Sequence, residues 1–252
     1  MMNLATPMTN TMETTTETNV SPETQAETGL MKNSKEYGTK IDKFVRSVKN
    51  GQKIKPADFD DPLDALIFGL ISEHTTEKHA RKVYKNLLAH FVDYNDLRVC
   101  RVEEIQEILE DFTPVGEQVS ENLTRLLTAL FDKYDSLSLK GIDEQGKRQA
   151  KKELEELGGT SRFAVNYCFL AAFGGHAVPL NEAMLNYLRS EELVDPQASP
   201  EEIEGFLERH IPASAGWEFY ELLRMATEGG LKKGTPPAAK TEKKKAPAKK
   251  KK

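Results

Sequence analysis

The sequence predicts an all-α body between two low-complexity tails, on three observations. Apolar residues recur at helical spacing in ten segments between residues 37 and 225. Helix-start signals stand at the heads of several of these segments. The few β-rich runs are too short to build a sheet. On this reading residues 34–230 form the helical body, 1–33 a disordered leader rich in Thr, Glu, Met and Asn, and 231–252 a disordered Lys-rich tail.

Taken in order, helices are expected over 37–48, 62–71, 80–91, 102–109, 119–134, 149–157, 162–173, 181–188, 201–211 and 217–225. Asp61 before Pro62 reads as a cap followed by a first-turn proline, and Ser199-Pro200-Glu201-Glu202 repeats that grammar. Thr76 and Asn181 are further N-cap candidates. Between the sixth and seventh segments the chain reads L-G-G-T-S-R-F-A-V-N from Leu157 to Asn166. Gly158 and Gly159 allow positive φ there and leave backbone N–H groups bare at the start of the next helix, where the helix dipole also favours an anion such as phosphate. The same pair would equally serve an ordinary helix C-cap turn.

Composition narrows the function classes. The 252 residues are 38% hydrophobic with one Trp and eleven Phe, enough for a core of ordinary size in one or two domains. No apolar run approaches the ~20 residues of a membrane span. No basic region leads into an apolar stretch at the N-terminus, so the expectation is a cytosolic protein, nucleoid-associated if bacterial. Cys100 and Cys168 have apolar neighbours and read as core thiols; two cysteines cannot form a four-cysteine metal or iron-sulfur centre. No cofactor is therefore expected. His79, His90, His176 and His210 show no ligand spacing.

The formal charge of −5 is unevenly spread. Residues 231–252 hold ten lysines and one glutamate, a balance of +9, whereas the first thirty residues carry four glutamates and no base. The body between them is left at −10. A polycation such as Lys243, Lys244 and Lys245 with their neighbours neutralises phosphates and releases counterions, which gives sequence-independent, salt-sensitive affinity for nucleic acid. A solubility tail, or a partner for the acidic body, would have the same composition.

With the helices placed, the order of motifs resembles the endonuclease III branch of the helix-hairpin-helix DNA glycosylase superfamily. The likeness begins at Asp61-Pro62-Leu63-Asp64-Ala65-Leu66-Ile67 and runs into Leu70-Ile71-Ser72-Glu73-His74-Thr75-Thr76, similar to the family's L-L-S-x-Q-T/A-T. It continues at Glu121-Asn122-Leu123 and is strongest from Leu154 to Leu188, so that about residues 60–228 are covered. The resemblance implies a two-lobed helical fold and duplex DNA, damaged or distorted, as partner. The hairpin donors would be Gly158, Gly159, Thr160, Ser161 and Arg162, and His74 would stand where the family places a polar residue that enters the gap left by a flipped nucleotide.

The family's reacting residues do not carry over. Its hairpin L-P-G-V-G-x-K-T-A supplies a lysine that attacks the sugar; that position holds Phe163 here, and the supporting aspartate, eighteen residues on, is Asn181. Phenylalanine has no lone pair for a Schiff base, and a neutral amide lacks the carboxylate's charge. The family's second hairpin glycine falls on Ser161, which is tolerable if its φ is negative. The expectation is a catalytically degenerate DNA-binding member acting in damage recognition or base excision repair. One alternative is an active monofunctional glycosylase using a displaced acid, Glu182 or Glu73; another is a protein-interaction scaffold.

Overall fold

The computed structural model describes residues 33–230. The leader, save Asn33, and the Lys-rich tail with Lys243, Lys244 and Lys245 lie outside the described residues. Within them the chain forms α1 (Ser34–Lys49), α2 (Pro62–Ser72), α3 (Glu77–His90), α4 (Tyr94–Val99), α5 (Val102–Leu109) and α6 (Pro114–Tyr134). It continues as α7 (Lys147–Glu156), α8 (Arg162–Ala171), α9 (Glu182–Ser190), α10 (Pro200–His210), a 3₁₀ turn (Ala213–Ala215) and α11 (Gly216–Thr227). No described helix is long and apolar enough to cross a membrane.

Two groups of helices share α2 as their common wall. On one side α3, α4, α5 and α6 pack together against it, and on the other lie α7 and α8, with α11 bridging to α1 and α9. The seam between the groups is the α2–α8 contact, the most extensive in the molecule. It is close because Gly69 faces α8: a Cβ there would sit 2.9 Å from the Cα of Ala164. Both helices are apolar nearly all round, as helices buried between two layers must be. Tyr167 at their centre touches the rings of Phe59, Phe68, Phe163, Trp217 and Tyr220.

The start signals place the helices. Asp61 caps α2 and Asp64 returns a bond to the Asp61 amide, a reciprocal box; Ser199 and Glu202 do the same for α10. Thr76 and Asn181 cap α3 and α9. Several expected boundaries are corrected by the same physics. Helix α6 begins at Pro114, not 119, because Thr113-Pro114 repeats the cap-and-proline pair. Helix α4, absent from the expected set, is a six-residue turn started by the Asp93 carboxylate, which accepts from the amides of Asn95 and Asp96. Six residues are too few to register as an amphipathic period.

Candidate nucleic-acid interface

Helix α7 ends at Glu156, and the chain turns through Leu157 to Ser161 before α8. Gly159 has φ +79°, and a Cβ there would lie 2.4 Å from the Asn122 carbonyl oxygen and 2.5 Å from the Leu126 amide nitrogen of α6. The turn is thus pressed onto the α6 backbone at a position only glycine can fill. Gly158, one residue earlier, is exposed and meets nothing tighter than 3.6 Å at its Cβ position. Among the described residues the amides of Gly158 and Gly159 have no hydrogen-bond acceptor.

The two hydroxyls expected to reach phosphate are committed elsewhere. Thr160 Oγ1 donates to the Leu157 carbonyl at 2.9 Å, closing the end of α7. Ser161, at φ −112°, caps α8 by accepting from the Ala164 amide at 3.0 Å and donates to Glu73 Oε2 at 2.5 Å. Arg162 is paired as well, with its side chain still 56% exposed: its Nε lies 2.6 Å from Glu204 Oε2 and its Nη1 3.5 Å from Glu201. Burial pushes the Glu204 carboxyl up, and the guanidinium opposes that shift. The side chains of the turn thus have internal partners, whereas the Gly158 and Gly159 amides do not.

Beside the hairpin, across the Ser161–Glu73 bond, lies a cleft of about 580 Å³. Its walls come from the turn after α2 (Glu73 to Thr76), the start of α9 (Asn181, Glu182, Ala183, Asn186) and the end of α11 (Arg224, Thr227, Glu228). Phe163 is not among them. It is 2% exposed and stacks on Tyr167 at 6.3 Å, so the ring fills core rather than replacing a reactive group in the cleft. Asn181 does line the cleft, but as a structural bridge: Oδ1 accepts from the Met184 amide at 2.9 Å, and Nδ2 donates to the Glu73 carbonyl at 3.0 Å.

The two acids named as alternative carboxylates, Glu73 and Glu182, both border this space. Glu73 follows α2 with its side chain 21% exposed and its carboxylate between the Ser161 hydroxyl and the cleft. Glu182 also lines the cleft, from the exposed first turn of α9. His74 is half exposed, with Nε2 3.9 Å from Glu73 Oε2, and borders both this cleft and a smaller recess shared with Asp111 and Val115. The loop after α5 also presents Phe112, 71% exposed. Sequence reasoning passed over it, because a lone Phe between helices looks like core.

A second residue missed in the sequence is Arg224. Its side chain is 3% exposed and donates to the Ser72 carbonyl at 2.9 Å, to the Thr75 carbonyl and to Glu228, while Nη1 has no partner. Glu228 Oε1 in turn accepts from the Glu77 amide at 2.8 Å. This node clamps the Glu73–Thr76 turn to α11. An Arg and a Glu four apart look like any surface pair in sequence, and only burial sets these two apart.

Neither family models nor curated protein sequences match the chain. Solved structures do. Endonuclease III trapped in a covalent intermediate with DNA superposes with TM-score 0.61 at 18% identity, over 77% of this chain and 86% of that one. The 8-oxoguanine glycosylase/lyase of Clostridium acetobutylicum, in complex with double-stranded DNA, gives 0.58 at 16%, over 79% and 71%. The 3-methyladenine DNA glycosylase of H. pylori, bound to 1,N6-ethenoadenine, gives 0.54 at 13%, over 78% and 98%. The chain has the DNA glycosylase fold. Within that glycosylase fold the hairpin, the Glu73–Thr76 turn and the start of α9 converge on one face. The four-cysteine cluster that the family resemblance implies does not fit: the chain's two cysteines sit apart, Cys100 after α4 and Cys168 buried in α8.

Proposed function

We propose that this protein binds duplex DNA through the backbone of the Leu157–Ser161 turn and holds a distorted or extruded nucleotide at the neighbouring cleft. The observation that carries the reading is the pair of open amides at Gly158 and Gly159, in a turn fixed against α6 and shortly before the start of α8. Such a site takes a phosphate oxygen without needing basic side chains. That suits a body whose net charge is −10 and in which Arg162 is already paired. The Lys-rich segment supplies the long-range attraction that an acidic body lacks. His74 and Phe112 are the exposed rings that would meet unstacked bases.

Fluorescence anisotropy with a labelled duplex tests this. Gly158→Asp places a carboxylate at the open position, which tolerates a Cβ, and is expected to weaken binding about tenfold or more while leaving the melting temperature within a few degrees. Unchanged affinity in that variant would remove the hairpin from the account.

A second reading is favoured by one observation, the Glu73 carboxylate at the cleft. In a monofunctional N-glycosylase a carboxylate stabilises the cationic sugar and takes a proton from attacking water, with no lysine needed. Glu73, oriented by Ser161, would fill that role in place of Asn181. Lyase chemistry through position 163 is no part of either reading, since a buried phenylalanine cannot form an imine.

A further inference from the structure

We infer that the protein has a second ligand site, beside the hairpin, for a linear aliphatic polyamine. The site is a cavity of about 440 Å³ between the end of α7, the first turns of α8 and one side of α10, and it shares no lining residue with the cleft. Four carboxylates line it: Glu155 from α7, and Glu201, Glu204 and Glu208 from α10. The α10 acids recur at i, i+3 and i+7, a row about 10 Å long on one side of the helix. Arg162 takes Glu204 and Glu201. Lys151, the other cation of the lining, holds its Nζ 5.5 Å from the centre of the Phe169 ring. Glu155 and Glu208 have no ion-pair partner among the described residues.

Asn166 adds a ligand-seeking group to the acids. It is 4% exposed and lines the cavity, and its side-chain amide has no hydrogen-bond partner among the described residues. It stands one turn after Arg162, whose guanidinium reaches α10, so the amide faces the same wall. Buried amides are almost always bonded, and one left open at a cavity has room for a ligand's donor. Its Oδ1 accepts an N–H, which an ammonium drawn in by carboxylates supplies. The acids do not converge on a point: among the described residues no three carboxylate, imidazole or thiol groups are placed to hold a metal ion. An extended cation suits them. Its two end ammonium groups pair with Glu155 and Glu208, an inner one meets Asn166, and the methylenes between run over Val165. Gly205 leaves the room on the α10 wall, where an added Cβ would meet only the Arg209 guanidinium, at 3.3 Å.

Isothermal titration calorimetry of the full chain with spermidine, without DNA and at fixed ionic strength, tests the site. The expected result is saturable binding of one spermidine per chain, weakened about tenfold or more in Glu208→Gln and in Asn166→Ala. Binding should be lost in Gly205→Leu, whose side chain fills the cavity, while the melting temperature does not fall because a helical glycine has been replaced. Glu208→Gln, an isosteric change at a half-buried position, decides the matter if the leucine variant fails to fold. No saturable heat would overturn the inference. So would several spermidines per chain bound equally well by wild type and Glu208→Gln, the mark of diffuse attraction to the acidic body. Magnesium ion bound as tightly as spermidine, and lost in the same variants, would overturn the ligand class.

Discussion

Asn181 shows how one residue can keep a position and change its task. In the family frame this site holds a carboxylate; here its amide both caps α9 and donates to the Glu73 carbonyl, a bond that aspartate cannot make. Asn181→Asp, nominally a restoration, should keep the cap but set a negative charge against a carbonyl oxygen. It is expected to destabilise the fold by about 1–2 kcal/mol at neutral pH, read as a lowered denaturation midpoint. Gly159 makes the opposite case, where nothing can be exchanged. With φ +79° and backbone atoms of α6 within 2.5 Å of a Cβ, Gly159→Ala should cost about 2–4 kcal/mol, measured by urea unfolding. The need for glycine at the bend was legible in the sequence. The diversion of the Ser161 hydroxyl to Glu73 was not, because the partners are 88 positions apart.

Among the elements, caps decide where helices begin and therefore where functional side chains stand. Asp61 serves two elements at once: Oδ1 accepts from the Leu63 amide at 2.9 Å and the Leu139 amide at 3.0 Å, and Oδ2 accepts from Ser138. Asp61→Ala should therefore cost more than a simple cap, about 2–3 kcal/mol by thermal or urea unfolding, whereas Thr113→Ala, with one long bond of 3.4 Å, should cost under about 1 kcal/mol. Cap grammar was readable wherever it preceded a long apolar period, as at Pro62 and Pro200. It was overlooked at Thr113-Pro114 because the first turns of α6 are polar and outside the period. The pairing of α2 with α8 followed from neither pattern. Both helices read only as apolar, and the contact of Gly69 with Ala164 is a fact of packing.

At the scale of the whole molecule, charge is arranged as an acidic body with a basic extension. Glu77 and Glu221 lie together beside Arg81 and Trp217, and burial, with Glu77 adding to it, pushes the Glu221 carboxyl up to about 7. Between the ordinary carboxylate value of 4.5 and about 7 the native state holds a proton that the unfolded chain has lost. Stability should therefore fall as pH rises through that window, with the penalty complete above it. In Glu221→Gln the decline between pH 5 and 8 should be smaller by roughly 1–3 kcal/mol, followed as the urea midpoint against pH. The basic extension is tested by salt. Deleting residues 231–252 should lower duplex affinity and flatten its dependence on log salt, and equal slopes for both chains would limit DNA contact to the folded body.

Local rules sufficed for part of this protein: periodicity and caps set most of the helices, and the glycine pair set the bend. These are properties of neighbours in the chain, so the order of residues contains them. The acid at the cleft belongs to the tertiary structure. Glu73 meets Ser161 and Asn181 only once α2 lies on α8, and Arg224 reaches the turn after α2 only once α11 closes over it. Contacts between residues roughly a hundred positions apart leave no local pattern, because burial and hydrogen bonding across helices choose the partner after the elements have formed.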